Sequence, residues 1–427
     1  MNNRRRALLA ATIAAPLAWL AAKKPRRHGG AHDEYFLGLQ RALQQAGLFR
    51  PTLVIDRQRL QHNLGVLRAG LPKNMKFRVV AKSLPSLPLL GEVRGAMQTD
   101  RLMTFHQPHV NLPAARMPDA HQLLGKPMPA GAAARFYADH RANGFEPARQ
   151  VEWLVDTPQR IGEYAELGRA HGRLKVNLEL DVGLHRGGFT SAQAVAEAIR
   201  AIGAEPALEF SGFMGYEAHA AKIPEALGGV TGALQKAMAF YGECVNAARE
   251  ALGAAFDPTR LTLNAGGSNT YMYYDESAPC NELAIGSGLV KPTDFDTKGL
   301  VEHVPAAFIA TPVLKALDTT RIPGLESMAG VFRAWDPNTA RTFYIYGGYW
   351  LARPESPAGL QRNDIWGHST NQDMLNGSTD VQLGVGDFVF FRPHQSEFVF
   401  LQFGDIAVYE DGRITAAWAP FAEGPAA

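Results

Sequence analysis

Cysteine is scarce in this chain, which has only Cys244 and Cys280 among its 427 residues. Two cysteines are too few to form a disulfide framework, and their spacing matches no zinc site. Hydrophobic residues make up 46% of the chain and charged residues 20%, which is the composition of an ordinary globular protein. At this length we expect two or three domains with a large core.

Acidic residues are absent from the first 30 positions, which hold seven of the 43 basic residues. The formal net charge of +2 therefore hides an acidic body, because the rest of the chain has 36 basic against 41 acidic residues and a net charge of −5. A body of this charge lacks the basic surface by which nucleic acids are bound. We therefore expect no nucleic-acid partner.

Residues 1–30 have the pattern of a targeting or anchor segment. Three arginines at positions 4–6 precede an apolar run at 7–22, which is short for a membrane-spanning helix and contains Pro16. Residues 3–9 resemble a twin-arginine signal, the type that exports folded proteins. We expect export to the periplasm. Because two lysines follow the run and no clear cleavage site is visible, an uncleaved anchor in the inner membrane is the alternative, with a cytoplasmic location as the third.

A buried strand that ends in a lysine is the central feature of the sequence. Residues 77–81 are apolar and β-branched, and Lys82 follows them, before a segment with two prolines. A lysine at the end of a buried strand is costly unless it is paired or reaches an opening. Desolvation also makes the amine a nucleophile toward carbonyl groups. On this segment alone, a surface lysine remains the alternative.

Short apolar strands alternate with helices over the first 290 residues, which predicts βα units and a parallel sheet. The predicted strands are 51–56, 77–81, 102–105, 151–155, 174–180, 208–214, 261–264 and 282–285. Their number fits a (β/α)8 TIM-like barrel at 45–292, although 107–150 show no clear pattern. Residues 295–427 are rich in strand signals and predict a separate C-terminal β-rich domain. The fold class is therefore α/β.

Polar, glycine-rich segments follow five of these strands, where the functional residues of such a barrel lie. Lys82 is the first, Arg186 lies in the second, and Tyr216 and His219 lie in the third. The last two segments are glycine–serine loops, and they contain Gly266, Gly267, Ser268, Gly286 and Ser287.

The two glycine–serine loops favour a phosphate site, because glycines let backbone N–H groups approach an anion. A nucleophilic lysine beside such a site indicates pyridoxal 5′-phosphate held as a Schiff base. Arg186 is then expected to donate to the phenolic oxygen of the cofactor, and Tyr216 and His219 to contact its ring. Taken singly, the loops are equally typical of tight turns, Arg186 of a salt bridge to Asp181, and His219 of a core histidine.

Together these segments resemble the alanine racemase-like, fold-type III pyridoxal-phosphate enzymes, in the branch of D-threonine aldolase and D-serine dehydratase. The matching segments are 78–82, 181–186, 215–219, 266–268, 282–288, 386–387 and 393–396. The resemblance implies a homodimer, in which the β-domain of one subunit borders the active site of the other. It makes Lys82 the Schiff-base lysine, adds Arg78 to the cofactor-binding residues, and places Tyr216 and His394 with Lys82 among the catalytic ones.

Two departures from the family pattern bear on mechanism. The branch has histidines flanking its lysine, and here only Arg78 and Lys82 are kept. Its metal enzymes carry a His-x-Asp or His-x-Cys pair, whereas this chain has His394 and Ser396, and a neutral serine is a poor ligand for Zn²⁺ or Mn²⁺. We therefore expect no divalent metal. His394 remains a candidate ligand, a candidate general base for a substrate hydroxyl, or a surface histidine.

The expected function is that of a pyridoxal-phosphate lyase of the aldolase or dehydratase type, acting on a small D-amino acid. A metal-free amino-acid racemase is the alternative, since removal of the α-proton needs only Lys82 and an opposing acid–base group. Two readings of other classes stay open. One is a non-catalytic protein that binds pyridoxal phosphate or an amino acid, and the other is a phosphate-ester enzyme in which Lys82 forms no Schiff base.

Overall fold

The computed structural model describes residues 23–321, 323–364 and 367–421. The apolar run of the predicted targeting segment and the three arginines at 4–6 lie outside these residues. Within the described ranges, no helix is both long enough and apolar enough to cross a membrane. The chain divides into two compact units. The barrel unit contains Ile55–Ala307, His394–Val408 and the segment from Ala416, and the sheet unit contains the residues up to Val54, Phe308–Pro393 and Tyr409–Thr415.

The described chain begins with α1 (Glu34–Gln45) and β1 (Thr52–Asp56). The side chain of Asp33 accepts a hydrogen bond from Phe36 N and caps the start of α1. β1 is a strand of the nine-stranded sheet. The predicted place of this strand in the barrel is therefore wrong. A continuous apolar run fits a buried strand of either sheet, so its composition could not distinguish them.

Eight parallel strands close into a barrel in the barrel unit, as predicted. They are β2 (Lys76–Val80), β3 (Arg101–Thr104), β4 (His121–Leu124), β5 (Val151–Val155), β6 (Leu174–Leu180), β7 (Leu208–Gly215), β8 (Thr262–Ala265) and β9 (Glu282–Ile285). The barrel closes where β2 pairs with β9, with Lys76 opposite Glu282 and Val79 opposite Ile285. β4, the missing eighth strand, lies in the region that showed no clear pattern.

Helices surround the barrel strands. They are α2 (Arg57–Gly70), α3 (Leu87–Met97), α4 (Gln107–Arg116), α5 (Ala130–Asp139), α6 (Pro147–Gln150), α7 (Pro158–His171), α8 (Ala192–Gly203) and α9 (Gly229–Leu252). Asp56, Thr157 and Ser191 cap α2, α7 and α8 by accepting backbone N–H groups of the first turn. The connection from β8 to β9 contains the 3₁₀ turn Tyr271–Tyr273.

The sheet unit supplies the predicted C-terminal β-rich part. The nine-stranded sheet contains β1, β10 (Ala307–Leu317), β11 (Arg341–Ile345), β12 (Ala352–Ser356), β13 (Gln361–Arg362), β14 (Met374–Gly377), β15 (Phe388–Pro393), β16 (Ile406–Glu410) and β17 (Arg413–Trp418), and α10 (Ala329–Trp335) follows β10 in the chain. The strand order is β13-β14-β11-β10-β1-β16-β17, with β15 paired to β10 and to β12. Phe36 of α1 packs on Phe308 and Phe390, with ring centroids 5.2 and 4.9 Å apart.

A buried polar cluster fills the part of the barrel interior where strands begin. Arg78 is fully buried and forms a close ion pair with Glu282. Glu282 also accepts hydrogen bonds from Arg101 at 2.7 Å and from Asn264 at 2.9 Å. Removing one partner of such a pair costs about 3–5 kcal/mol, because the other charge is left buried and unpaired. Loss of Arg78 alone is therefore expected to destabilise the barrel.

Candidate active site

A cavity of about 760 Å³ opens where the barrel strands end. We call it the central cavity. Eight of the predicted site residues line it, and they are Lys82, Arg186, Tyr216, Gly266, Gly267, Ser268, Gly286 and Ser287. These residues come from the connections that follow β2, β6, β7, β8 and β9. Because strand order and barrel closure bring these connections together, the five segments picked from the sequence meet at one cavity.

Lys82 lies in the 3₁₀ turn Ala81–Ser83, directly after β2. Its side chain is 43% exposed, and its Nζ atom lies 4.9 Å from the ring centroid of Phe105 and 3.3 Å from Oε1 of Glu397. The amine is thus held at the cavity wall by an aromatic face on one side and a carboxylate on the other. It is paired and reaches an opening, as a lysine at a buried strand end requires.

Glu397 also lines the central cavity, although the sequence did not predict it as a site residue. It lies one residue beyond the matching segment that ends at Ser396, in the stretch His394–Val408 that belongs to the barrel unit. Its Oε1 atom also accepts a hydrogen bond from Ser83 Oγ at 3.4 Å, and its Oε2 atom is buried without a hydrogen-bond partner among the described residues. The only sequence signal was its closeness to that segment.

Three serine hydroxyls connect the lysine turn with the last glycine loop. Ser287 Oγ donates to Ser83 Oγ at 2.9 Å and lies 3.2 Å from Ser396 Oγ. Ser396, which stands where the metal enzymes of the branch have a ligand, is therefore engaged in a hydrogen bond with another serine. All three hydroxyls lie in buried residues.

The glycine–serine loops pack too closely for larger side chains. Ser268 Oγ accepts the backbone N–H groups of Gly286 at 3.3 Å and Gly288 at 2.9 Å, which ties the two loops together. A Cβ atom on Gly286 would lie 2.8 Å from Cβ of Ser83 and of Val80. One on Gly267 would lie 2.7 Å from the Tyr216 ring, and Gly266 has a φ of +78°, which favours glycine. Close packing therefore requires glycine at these positions, and both loops line the cavity.

Arg186 lies over the ring of Tyr216, with its Cζ atom 5.3 Å from the ring centroid. Its suggested partner Asp181 instead accepts the backbone N–H groups of Gly183 at 3.1 Å and His185 at 2.8 Å. Glu179 lines the cavity as well, and burial raises its pKa to about 7 while the charge of Arg186 opposes the rise. The guanidinium of Arg186 and the carboxyl group of Glu179 therefore share the cavity and interact electrostatically.

Three predicted site residues do not line the central cavity. Arg78 points along β2 into the polar cluster of the barrel interior, so it is not placed to bind a cofactor. His219 lines a second cavity of about 430 Å³ together with Asp181. The ring of His394 bonds through Nδ1 to Thr293 Oγ1 at 2.6 Å. These three assignments are corrected, because none of the three residues lines the cavity that holds Lys82.

One further wall of the central cavity was missed, because it follows β3 and β4 in the region without a clear pattern. Phe105, His106 and His109 line it from the start of α4, and Lys126 lines it from the connection after β4. The rings of the two histidines are 3.8 Å apart, centroid to centroid. Among the described residues, no three His, Cys, Asp or Glu side chains are grouped to hold a metal ion.

A closed parallel barrel with a lysine at the end of its first strand, followed in the chain by a β-rich part, defines the alanine racemase-like, fold-type III class of α/β proteins. Residues 55–294 match the family model for the alanine racemase N-terminal domain. Because this match covers more than half of the chain, the chain belongs to that family, which uses pyridoxal phosphate.

One relative is the 3-hydroxy-D-aspartate aldolase of Paracoccus denitrificans (strain Pd 1222). It is 30% identical over 147 residues, which are 34% of this chain and 36% of that protein. The similarity therefore spans about a third of the relative's length.

Solved structures share the fold over most of the chain. The D-threonine aldolase of Filomicrobium marinum matches with a TM-score of 0.66 at 14% identity, over 86% of this chain and 94% of that one. The D-threo-3-hydroxyaspartate dehydratase of Delftia sp. HT23 has a TM-score of 0.64 at 16% identity, over 87% and 97%. The alanine racemase of Bacillus anthracis has a TM-score of 0.64 at 13% identity, over 87% and 98%. At these identities the likeness establishes the fold alone.

Proposed function

We propose that this chain is a pyridoxal-phosphate-dependent lyase that acts on small β-hydroxy D-amino acids, as an aldolase or a dehydratase. One observation carries the proposal. Lys82, the two glycine–serine loops and the carboxylate of Glu397 share a single cavity. The names of the relatives, which are aldolases and dehydratases of 3-hydroxyaspartate and threonine in the D-series, support the substrate class.

The residues of the central cavity fit the cofactor. Lys82 would hold its aldehyde carbon, since the amine is accessible at the cavity wall. Gly266, Gly267, Ser268, Gly286 and Ser287 would hold its phosphate, because they line the cavity in the loops after the last two barrel strands and glycines let backbone N–H groups approach an anion. Arg186 and Tyr216 would contact the ring. When bound, pyridoxal phosphate withdraws electron density from Cα of an amino acid and weakens its bonds.

Lys82 and Glu397 are the groups placed to move protons. Lys82 Nζ would accept or return a proton at Cα of an amino acid bound in the cavity. The Glu397 carboxylate, 3.3 Å from Nζ, can take the proton of a β-hydroxyl or give one to a departing hydroxide. Its unpartnered Oε2 atom leaves one oxygen for this task.

A racemase is the second candidate, and one observation favours it. The side chains at the metal-pair positions are engaged elsewhere, His394 with Thr293 and Ser396 with Ser287. A chain that lacks the metal pair still has Lys82 for the α-proton. Turnover against a panel of D-amino acids separates the candidates. A keto acid or an aldehyde marks a lyase, the opposite enantiomer marks a racemase, and the absence of any product marks a protein that only binds.

The first test is the visible spectrum of the purified protein before and after borohydride. We expect a yellow protein that loses its colour on reduction. Peptide mapping should then locate the trapped cofactor on Lys82. Lys82→Ala should be colourless. Lys298→Ala, which removes an exposed lysine paired with Glu225, is the matched control and should remain yellow. A wild-type protein that stays colourless with added pyridoxal phosphate contradicts the proposal and favours a phosphate-ester enzyme.

Two further proposals concern location and assembly. We propose periplasmic export through the arginines at 4–6, and a triple substitution by lysine should leave the protein in the cytoplasmic fraction. Recovery of the uncleaved wild type in the membrane fraction would favour the anchor.

We also propose a homodimer, for which light scattering in solution should give twice the 46.4 kDa chain mass. A monomer mass contradicts it.

A further inference from the structure

The connection between β10 and β11 carries an exposed apolar helix. None of the seven residues of α10 is buried. Val331 is 61% exposed and Trp335 is 40% exposed, and Met328, which precedes the helix, is 41% exposed. A helix of this length is marginal in water by itself, because few hydrogen bonds offset the cost of ordering its first turn. Such a helix gains stability when another surface covers its apolar side chains.

The apolar side chains of α10 share one face of the helix. The amphipathic spacing i, i+3, i+4, i+7 is occupied by Met328, Val331, Phe332 and Trp335. The other positions of the helix hold small residues and the exposed Arg333. An apolar face with a tryptophan, opposite a cationic side chain, is typical of a helix that lies in the headgroup region of a bilayer.

The N-terminal part of the described chain is held directly beside this helix. Asn338, three residues after the end of α10, donates from Nδ2 to Arg26 O at 3.0 Å and accepts His28 N at Oδ1 at 3.0 Å. Ser378 Oγ donates to His28 O at 2.6 Å. All of these residues belong to the sheet unit. Residues 26–28 are therefore bound to the chain that follows α10.

Only residues 23–25 separate this bound segment from the apolar run at 7–22. Because an extended chain advances by at most about 3.6 Å per residue, Arg26 lies within about 14 Å of the end of the run. A membrane that holds the run as an anchor therefore has its surface close to Arg26 and α10. Lys23 and Lys24 are exposed at this place and suit anionic headgroups.

The acidic residues that flank α10 are engaged locally. Glu326 accepts the backbone N–H of Gly324 at 3.1 Å, and Asp336 accepts that of Asn338 at 2.9 Å. Against these two carboxylates, residues 23–27 contribute four basic side chains and no acidic one. The charge around the apolar face is therefore positive, which favours an anionic surface as its partner.

We propose that the α10 face, which comprises Met328, Val331, Phe332 and Trp335, is a contact with the lipid surface. These side chains enter the headgroup region, and the sheet unit stays on the membrane beside its N-terminal anchor. The inference goes beyond the proposed location by selecting the anchored form, and it does not depend on the proposed chemistry. A second copy of the chain is the other possible occupant of the face, and the test distinguishes the two.

The test places an environment-sensitive fluorophore on Val331→Cys in the full chain. Both natural cysteines are buried, so the introduced one is labelled selectively. The protein is reconstituted in vesicles of phosphatidylethanolamine and phosphatidylglycerol, with and without lipids that carry a nitroxide near the headgroup. We expect a blue-shifted emission that the nitroxide quenches. Val301→Cys, at a valine of the barrel unit that is 67% exposed, is the matched control and should not be quenched.

Three outcomes of this test overturn the inference. Emission at position 331 that is neither shifted nor quenched means that the face stays in water. Emission that is shifted but not quenched assigns the face to a second copy of the chain. Equal quenching at positions 331 and 301 means that lipid contact is not confined to the α10 face.

Hydrogen exchange of the unlabelled protein in the same vesicles gives a second readout. The double substitution Val331→Glu and Trp335→Glu puts two charges on the α10 face, which is unfavourable at a lipid surface, so backbone exchange over 329–335 should become about tenfold faster or more. The visible spectrum of the cofactor should be unchanged, because α10 buries no side chain of its own. Exchange at the wild-type rate overturns the inference. Failure of borohydride to trap a cofactor removes the proposed function alone and leaves both readouts valid.

Discussion

The Glu397 carboxylate lies 3.3 Å from the ammonium of Lys82, and the same oxygen lies 3.4 Å from the hydroxyl of Ser83. The other carboxylate oxygen is buried and has no hydrogen-bond partner among the described residues. A carboxylate in this position can exchange a proton with the lysine and with a bound substrate. The pair is the chemical centre of the proposed lyase.

Glu397→Gln is expected to lower kcat by about 10²–10⁴-fold, because the amide keeps the size of the side chain and cannot accept a proton. Cofactor binding should persist, since Lys82 and the glycine–serine loops are unchanged. The measurement is kcat in the lyase assay together with a pyridoxal-phosphate titration. Glu276→Gln, a substitution at an exposed glutamate of the barrel unit, is the control. A kcat within twofold of the wild-type value would remove Glu397 from the mechanism.

Gly286→Ala should close the space between the last loop and the lysine turn. Its Cβ atom would lie 2.8 Å from Cβ atoms of Ser83 and Val80, so the turn that carries Lys82 must shift. We expect a loss of about 1–3 kcal/mol in the free energy of unfolding and a weakened affinity for pyridoxal phosphate. Gly91→Ala, in α3 with no atom within 4 Å of the added methyl group, should be as stable as the wild type or more so. Unchanged cofactor affinity in Gly286→Ala would contradict the loop assignment.

Glu179 should make the stability of the fold fall as the pH rises. Burial raises its pKa to about 7 from the ordinary 4.5, so the folded state binds this proton more tightly than the unfolded chain does. The stabilisation is therefore complete below pH 4.5 and is lost as the pH rises through 7. Glu179→Gln carries no charge, and we expect it to be more stable than the wild type at pH 8 by about 2–3 kcal/mol and nearly equal at pH 4.5. Equal denaturation midpoints at pH 8 would contradict the raised pKa.

Removal of divalent metal is expected to leave turnover unchanged. The ring of His394 is bonded to Thr293 and Ser396 to Ser287, so neither is free to form a ligand pair as the chain is arranged. Activity should be the same after dialysis against a chelator and after addition of Mn²⁺ or Zn²⁺. His394→Ala should likewise change kcat by less than about threefold, an order-of-magnitude expectation for a group that leaves the reacting atoms untouched. A strong loss on chelation that Mn²⁺ restores would overturn this expectation.

The sequence predicted the barrel and most of the cavity because both depend on strand ends. Lys82, Arg186, Tyr216 and the two loops each follow a strand, and parallel strands end at one face of a barrel. His219 does not line the central cavity, although its segment also follows a barrel strand, β7. In that segment Tyr216 faces the central cavity and the buried Glu217 accepts the N–H of Gly266, so the chain turns and places His219 at the second cavity.

The prediction that Arg78 binds the cofactor was wrong for a different reason. Inward-facing side chains of a strand recur every second residue, so Arg78 shares its direction with Val80 and lies deeper in the barrel. Only the partners Glu282 and Glu152, which the sequence places far away, show that its charge is satisfied there. His109, Lys126 and Glu397 were missed because the first two lie around a four-residue strand and the third follows a strand of the sheet unit.

The position of segment 394–401 near the end of the chain determines when the candidate active site becomes complete during translation. A ribosome completes all eight barrel strands before it reaches Glu397. Until then a nascent chain has its lysine and its two loops, yet it lacks the carboxylate that stands beside the amine. A chain that stops after the barrel would therefore retain the groups that hold the cofactor and have no proton acceptor beside Lys82 from this segment. The reactive pair is therefore complete only after the barrel strands and most of the sheet strands have been made.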